Sequence, residues 1–308
     1  MTSALAFRAV HKRFVGVHAL AGLDLDVPVG STFALIGPNG AGKTTSFGVA
    51  LGLLRATSGE TTILGGPPSR VPTLRGRIGA LLQDAPLPPK LTALEAVALH
   101  AELVGLGPAA ARAAATEALG RAGLEQYLGA MCGTLSHGMA KRAGLAVAFL
   151  GEPELVLLDE PTAGLDAVSA DAVRATLRER RGRCTLVVSS HDLDELQDLC
   201  DEAAILDRGR CVKTGTMAEF TGAGDWLEVE LAPGFAKDAV PLVTGLGEVA
   251  SATWDDSRRA LTVRLSSGAH PESAAPAVLR ALLDAGAPVV GVTRGRRLAR
   301  AVAEALKA

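Results

Sequence analysis

The sequence predicts an α/β protein in which short, continuously apolar strands alternate with helices, followed by a smaller α+β unit. The segments STFALIG (31–37), ELVLLDEP (154–161) and CTLVVSSH (184–191) are apolar along most of their length, which is typical of a parallel sheet buried on both faces. Residues 92–150 show one helical pattern after another and no convincing strand. The pattern then changes at a glycine-containing stretch, TGAGDW (221–226), which indicates a linker.

Length and composition agree with two unequal domains. At 308 residues the chain exceeds an average single domain, and with 48% hydrophobic and 21% charged residues it can bury a sizeable core. We therefore predict a first domain over residues 1–222, with a helical insertion at about 88–150, and a second domain over 223–308.

Charge, cysteines and hydropathy exclude several classes of function. The formal net charge is −2 and no dense basic block is present, which argues against a nucleic-acid binder. Cys132, Cys184, Cys200 and Cys211 lack metal-ligand spacing, so neither a zinc site nor a disulfide framework is predicted, and a reducing compartment fits. No apolar run approaches the roughly 18 residues that span a bilayer, and the apolar stretch at the N-terminus is too short for a signal sequence. Work at a membrane would need a second, membrane-embedded chain.

The first predicted strand leads through a glycine loop, GPNGAGKTT, into a helix over GKTTSFGVALGLL. Gly37, Gly42, Lys43 and Thr44 fit the pattern G-x-x-x-x-G-K-[ST] in the strand–loop–helix context that a phosphate-binding loop requires. Backbone N–H groups of such a loop point at phosphates, and the helix N-terminus adds partial positive charge. We expect Lys43 to reach the β- and γ-phosphates and Thr44 to ligate Mg²⁺. The other residues expected to contact the nucleotide are Pro38, Asn39, Gly40, Ala41 and Thr45.

The second strand ends in two carboxylates. An acidic pair after a run of apolar residues is hard to explain by packing, because a buried unpaired carboxylate costs several kcal/mol. Asp159 is therefore expected to face Mg²⁺, and Glu160 to be the general base for a water near the γ-phosphate. The alternative for Glu160 is a capping carboxylate before Pro161.

Two further candidates carry little information by themselves. His191 closes the third strand, where a histidine is more often structural, and Gln83 directly precedes the helical insertion. Their interpretation depends on the family resemblance described below.

The region after the linker alternates strands and helices in the order β-α-β-β-α-β, with one further helix. Its strands are WLEVEL, EVASATW, RALTVRL and PVVGVTR, and its clearest helix covers 271–285. This order resembles a small ferredoxin-like sandwich. Its role is left open between dimerisation or stability and ligand sensing.

Six motifs in order make residues 4–220 resemble the ATP-binding subunit of an ABC transporter. They are the Walker A loop GPNGAGKTT, the Q-loop LLQD, the signature LSHGM, the Walker B strand LVLLDE, the D-loop AGLD and the switch histidine in SSHD. The resemblance implies a P-loop ATPase fold of the ABC type, with a helical subdomain, that uses ATP and Mg²⁺.

The same resemblance implies roles for residues that spacing alone does not explain. Gln83 and His191 become catalytic residues beside Glu160, with Gln83 also near Mg²⁺, and Phe14 stacks on adenine. The alternative for Phe14 is a core phenylalanine. In this family the signature loop closes over ATP held by a second, head-to-tail subunit, so Ser136, Gly138 and Asp166 are implied to lie at the interface of a homodimer or heterodimer.

The resemblance also implies a partner and a place of work. The partner is an integral-membrane permease on a separate chain, which puts this chain in the cytoplasm, peripheral at the inner face of the plasma membrane. The short C-terminal extension favours exporters of the drug, polysaccharide and lipid type. The loop after Gln83, with Leu87 and Leu91, is the expected contact with the permease.

The signature departs from the commonest family form, Leu-Ser-Gly-Gly-Gln. His137 replaces the first glycine and Met139 the glutamine, and a side chain at residue 137 needs room and an allowed backbone conformation. We interpret His137 as a tolerated variant, because Ser136 and Gly138 remain. Lost activity and a proton-carrying His137 are the alternatives.

Two rival classes of protein would leave other marks in the sequence. A soluble ABC ATPase without a transport role normally brings a long coiled coil or two fused cassettes, and neither occurs here. A GTP-binding switch would need an Asn-Lys-x-Asp stretch, which is absent. The transported substrate is chosen by the permease and does not follow from this sequence.

Overall fold

The computed structural model describes residues 3–83, 87–222, 224–233, 235, 239–269 and 271–307. They form two compact units, Met1–Thr214 and Gly215–Ala308, each of which is described by itself below. This division precedes the predicted boundary after residue 222, because a short helix, Met217–Thr221, packs against the last helix of the second unit.

The first unit contains two sheets. In an antiparallel sheet, strand β1 (Ser3–Phe14) lies between β2 (Val17–Pro28) and β4 (Ser58–Ile63). A six-stranded sheet has the order β5-β6-β7-β3-β8-β9, and its first five strands pair in parallel. Its strands are β3 (Thr32–Ile36), β5 (Ile78–Leu81), β6 (Leu155–Asp159), β7 (Thr185–Ser189), β8 (Glu202–Asp207) and β9 (Arg210–Thr216). Strands β3, β6 and β7 are buried along their whole length, which agrees with the predicted parallel core.

The described part of the first unit also contains the α-helices α1 (Lys43–Ala50), α2 (Ala93–Leu103), α3 (Pro108–Arg121), α4 (His137–Ala148), α5 (Ala167–Arg180) and α6 (Leu193–Leu199). Helix α1 is shorter than predicted, since the chain turns at Gly52, whose φ is +72°. Helices α2, α3 and α4 form the helical insertion around their own alanine-rich hydrophobic cluster. A capping box between Thr92 and Glu95 begins α2.

The loop expected to contact the permease is only partly accessible. Residues 84–86 of that loop lie outside the described residues. Leu87 and Leu91 are half-buried, and Leu87 packs against the hydrophobic cluster of the helical insertion. Leu87 is therefore shared between the insertion's core and its surface, and the expected permease contact at Leu87 and Leu91 stays a prediction.

The second unit is a four-stranded antiparallel sheet with helices. Its elements are α7 (Met217–Thr221), β10 (Trp226–Leu231), α8 (Ala239–Thr244), β11 (Val249–Asp255), β12 (Ala260–Leu265), α9 (Pro271–Asp284), β13 (Val289–Arg294) and α10 (Leu298–Ala305). The strand order β11-β12-β10-β13, with a helix after β10 and another after β12, is that of a ferredoxin-like sandwich. Alternate residues of the strands pack on α8 and α9 in a separate hydrophobic core. Within the described part of the chain, no helix is both long and apolar enough to cross a bilayer.

Candidate active site

The glycine loop between β3 and α1 is held in place by close packing. A Cβ added to Gly37 would lie 2.5 Å from the carbonyl oxygen of Leu206 in β8. Gly42, the N-cap of α1, has a φ of +107°, and a Cβ there would lie 2.7 Å from the carbonyl oxygen of Ala19 in β2. Both positions therefore require glycine, because neither has space for a Cβ. Gly42 requires it also because its backbone is left-handed.

Lys43 occupies the first turn of α1 and reaches back over the loop. Its Nζ donates to the carbonyl oxygen of Gly37 at 2.7 Å and to that of Pro38 at 3.4 Å. The side chain is buried, so its positive charge lies next to the backbone that would surround a phosphate.

A cavity of about 400 Å³ opens beside the loop. It is lined by Gln83, by the glycine loop, and by residues at the end of β1, the start of β2 and the end of β6. Its predicted site residues are Phe14, Pro38, Asn39, Gly40, Ala41, Gly42, Lys43, Thr44, Thr45, Gln83, Asp159 and Glu160. Phe14 is 46% exposed, with Nζ of Lys12 4.8 Å from its ring centroid, so the alternative of a core phenylalanine is wrong.

Asp159 ends β6 at the floor of this cavity and is fully buried. One carboxylate oxygen, Oδ2, accepts a hydrogen bond from Oγ1 of Thr44 at 2.6 Å, and the other, Oδ1, accepts one from Oγ of Ser189 at 2.5 Å. Two hydroxyl donors offset the cost of burying the charge. Sequence reasoning did not identify Ser189, whose only signal is its place at the end of the neighbouring strand β7.

Glu160 follows Asp159 in a left-handed backbone conformation, with a φ of +52°. Its N–H donates to the carbonyl oxygen of Ser189 at 3.0 Å and lies 3.1 Å from Oγ of the same residue. Its carboxylate oxygen Oε2 is 2.7 Å from Nδ1 of His191. The side chain of Glu160 is 10% exposed and that of His191 is 71% exposed. The pair therefore lies where the buried strands end and the solvent begins.

The carbonyl of Glu160 has a partner that sequence reasoning also missed. Nζ of Lys141, from helix α4, donates to this oxygen at 2.6 Å. No local signal marks Lys141, because its partner lies on a different element.

The signature and D-loop residues form a second group within the chain. Ser136 is the N-cap of α4, where its hydroxyl accepts from the N–H of Met139 at 3.2 Å. Asp166 caps α5 and accepts from N–H and Oγ of Ser169, at 3.0 and 2.9 Å, and these bonds hold the pKa of Asp166 below its usual range. A Cβ on Gly138 would lie 2.7 Å from Oγ of Ser169, so the two segments touch. Among the described residues, those lining the cavity do not include Ser136, Gly138 or Asp166.

His137 fits its position without backbone strain. It is the first residue of α4 and is not among the described residues with positive φ, so the glycine of the common family form is not needed for its conformation. Its Nε2 lies 3.4 Å from the carbonyl oxygen of Ala163 and 3.3 Å from where a Cβ on Gly164 would stand. The side chain therefore packs on the D-loop.

Hydroxyl and carboxylate oxygens at the cavity floor suit a small hard cation. Thr44 and Asp159 provide them on adjacent elements, and Gln83 adds an amide oxygen at the wall. The described residues contain no group of three or more His, Cys, Asp or Glu side chains able to enclose a metal. This donor set fits Mg²⁺, which is commonly held by one or two protein groups together with phosphates and water.

Fold and site together define a P-loop nucleotide hydrolase. The profile of the family described as "ABC transporter" matches residues 20–163. Nod factor export ATP-binding protein I of Burkholderia orbicola is 37% identical over 212 residues, or 68% of this chain and 69% of that protein. The daunorubicin/doxorubicin resistance ATP-binding protein of Streptomyces peucetius is 35% identical over 223 residues, or 71% of this chain and 67% of that protein. A dimeric ATP-binding cassette in a post-hydrolysis state, bound to ADP and Pi, is 26% identical with a TM-score of 0.65, over 69% of this chain and 98% of that chain.

The chain belongs to the ATP-binding subunits of ABC transporters. It binds ATP and hydrolyses it to energise transport, and subunits of this family dimerise and work with membrane permease components. The family, the fold class and the ATPase activity predicted from the sequence are thereby confirmed. The alternative of an ABC ATPase without a transport role is not favoured by these relatives.

Proposed function

We propose that this chain powers export through a separate permease by closing head to tail with a second ATP-binding subunit over two ATP molecules. The direction rests on the two relatives described above, which are named for Nod factor export and for drug resistance. The observation that carries the mechanism is the contact of Glu160 with His191, next to a phosphate loop whose threonine is bonded to Asp159.

Nucleotide binding is assigned to the cavity beside the loop. Phe14, exposed at its rim, stacks on adenine, and residues 37–45 surround the phosphates with backbone N–H groups and the N-terminus of α1. Lys43 exchanges its bonds to loop carbonyls for the β- and γ-phosphates. A buried ammonium group already held over the loop supports this role.

Mg²⁺ would be held by Thr44, Asp159 and Gln83, and when bound it would neutralise charge on the phosphates. The hydrogen bond between Thr44 and Asp159 supports this assignment, because it brings a hydroxyl and a carboxylate from two elements to one point. Ser189 fixes the second oxygen of Asp159 and so orients the carboxylate.

Glu160 is assigned as the general base that takes a proton from the attacking water. His191 orients the carboxylate through Nδ1, and we assign its other ring nitrogen, Nε2, to the γ-phosphate. Gln83, exposed at the cavity wall, positions the water and senses the γ-phosphate.

The second group of residues is assigned to the partner's nucleotide. Ser136 and Gly138 would meet the γ-phosphate of ATP on the second subunit, with the N-terminus of α4 adding favourable charge. Asp166 would lie across the same interface. Ser136 and Asp166 are exposed at two neighbouring helix N-termini, with Gly138 packed beside them, and all three lie apart from the lining of the chain's own cavity, which supports this division of labour.

The permease also fixes where the chain works. Since the family's ATP-binding subunits act with membrane components, we place this chain on the cytoplasmic face of the plasma membrane, held there by the permease. No part in nucleic-acid binding is proposed, in keeping with the near-neutral charge.

Glu160→Gln tests the assignment of the base. The change keeps the size of the side chain and should leave ATP affinity unchanged, while phosphate release slows by roughly 10² to 10⁴, the usual effect of losing a general base. ATP should then trap a stable dimer. The matched control is Glu152→Gln, at an exposed glutamate with the same φ of +52°. Turnover at the wild-type rate in Glu160→Gln would remove Glu160 from the mechanism.

A further inference from the structure

Helix α4 begins at the signature and crosses the segment that runs from Glu160 to the D-loop. His137 and Lys141 are four residues apart and so lie on the same face of this helix. Each places a nitrogen against a backbone carbonyl of that segment: Nε2 of His137 at 3.4 Å from Ala163, and Nζ of Lys141 at 2.6 Å from Glu160. The helix thus contacts the segment at both ends of its first turn.

The contact made by Lys141 is the tighter of the two. Lys141 is 8% exposed, so its ammonium group is removed from water and depends on protein acceptors. A charge-assisted bond of 2.6 Å in such surroundings fixes the position of its acceptor more firmly than an exposed one.

The acceptor belongs to a residue whose backbone needs support. A non-glycine residue with a φ of +52° persists only where its surroundings hold it. On one side of Glu160, Ser189 accepts its N–H, and on the other side Lys141 donates to its carbonyl. The direction of the Glu160 side chain follows from this backbone conformation.

We propose that Lys141 is a positioning residue that holds Glu160 in its left-handed conformation and links it to the signature helix. The proposal rests on the assigned role of Glu160 as the base. Ser136 begins the helix that carries Lys141. When the partner's ATP contacts the signature, a shift of this helix is therefore passed to Glu160 of the same chain through a single helical turn. Lys141 acts through Glu160 and touches no nucleotide.

The test replaces Lys141 by methionine, which keeps the length of the side chain and removes the donor, and by arginine, which restores a donor. In the full-length protein, Lys141→Met should lower the kcat of ATP hydrolysis about 10-fold, within the roughly 10²-fold that a misplacement of 1 Å can cost. KM and the ATP affinity should stay within about twofold of wild type, the affinity being measured without turnover. Lys141→Arg should recover most of the lost kcat.

The matched control is the next residue of the same helix. Arg142 also donates to backbone carbonyls, with Nη1 2.9 Å from the oxygen of Ala122, but these lie in the helical insertion. Arg142→Met should therefore leave kcat within about twofold of wild type. An equal loss of kcat in both variants would mean that α4 is merely destabilised and would overturn the proposal.

A double-mutant cycle separates positioning from a general effect on the fold. With Glu160→Gln already present, Lys141→Met should cause no further loss of residual turnover, because the group that it positions is gone. Losses that multiply would overturn the proposal, as would wild-type kcat in Lys141→Met. If Glu160→Gln itself kept wild-type turnover, the proposed function would fail instead. Melting curves accompany each variant, and if the methionine variant does not fold, Lys141→Gln replaces it in the same comparisons.

Discussion

At the scale of single residues, the hydroxyl of Ser189 connects the two carboxylates of the site. It donates to Asp159 and lies within hydrogen-bonding distance of the N–H of Glu160, while the carbonyl of Ser189 accepts that N–H. Asp159 and Glu160 therefore cannot change direction independently. These hydrogen bonds provide partners for the buried carboxylate of Asp159 and for the backbone of Glu160, so both residues can follow each other at the buried end of β6.

A third carboxylate near the site, that of Glu195, lowers the stability of the fold when it is charged, and this effect should depend on pH. Glu195, in the first turn of α6, is 6% exposed, and burial raises its pKa above the usual range. Its Oε2 accepts from Oγ1 of Thr162 at 2.6 Å, whereas Oε1 is buried without a hydrogen-bond partner among the described residues. Because its pKa is raised in the folded state, the charged form costs stability above that pKa, and the cost disappears as the pH falls through it.

Glu195→Gln should therefore raise the melting temperature at pH 8, by about 2–4 °C if the gain is about 1 kcal/mol. The gain should shrink as the pH is lowered through the folded-state pKa of Glu195, where the wild-type carboxyl becomes neutral. Thermal unfolding from pH 8 down to the ordinary titration range of a glutamate, about pH 4, measures it, with the exposed Glu102→Gln as control. A difference that stays constant over this range would contradict the assignment.

At the scale of elements, two helix N-termini are expected to serve two different nucleotides. Lys43 begins α1 beside the chain's own cavity, whereas Ser136 caps α4 outside its lining. Lys43→Ala should abolish ATP binding. Ser136→Arg should leave the ATP affinity of the monomer nearly intact and block ATP-dependent dimerisation, measured by sedimentation in the Glu160→Gln background.

The cap itself needs a control. Ser136→Arg also removes the hydroxyl that accepts from Met139, a loss worth roughly 1 kcal/mol of helix stability. Ser136→Ala removes the same bond without adding bulk or charge, so it should dimerise better than the arginine variant. Equal weakening of monomer ATP binding by Ser136→Arg and Lys43→Ala would show that the signature serves the chain's own nucleotide.

The sequence predicts best those elements whose pattern is uninterrupted along the chain. Strands β3, β6 and β7 are short, wholly buried and apolar, and the glycine pattern identified the start of α1. The sequence does not delimit strands β1 and β2, because register shifts and half-exposed residues interrupt their alternation. Lys141 and Ser189 could not be predicted, since each contact joins residues far apart in sequence. The positive φ of Glu160 was hidden as well, because glutamate rarely adopts it.

At the scale of the whole molecule, each of the two units has its own hydrophobic core. Both tryptophans of the chain, Trp226 and Trp254, lie in the second unit. Tryptophan fluorescence therefore reports unfolding of that unit, while calorimetry follows the whole chain. The ferredoxin-like order was readable from the sequence because its strands are separated by clear turns, whereas the division at residue 214 depends on the packing of α7 against α10.

ATP should stabilise only the unit that binds it. In Glu160→Gln, ATP at about 100 times its Kd adds about 2.7 kcal/mol, which should raise the calorimetric transition of the first unit by roughly 5–10 °C. The transition followed by tryptophan fluorescence should not move. Lys43→Ala, with ATP added, is the control and should shift neither transition. One shared transition that moves as a whole would show that the units unfold together.

The two glycines that bound the phosphate loop also limit how this site can be altered. Gly37 lies against β8 of the parallel sheet and Gly42 against β2 of the antiparallel sheet, each with no space for a methyl group. A single added carbon at either position would have to push a strand aside, so these two positions tolerate no larger residue even where no phosphate is touched. Directed evolution towards another nucleotide should therefore keep Gly37 and Gly42 for reasons of packing alone, and should vary exposed residues at the rim of the cavity, such as Phe14.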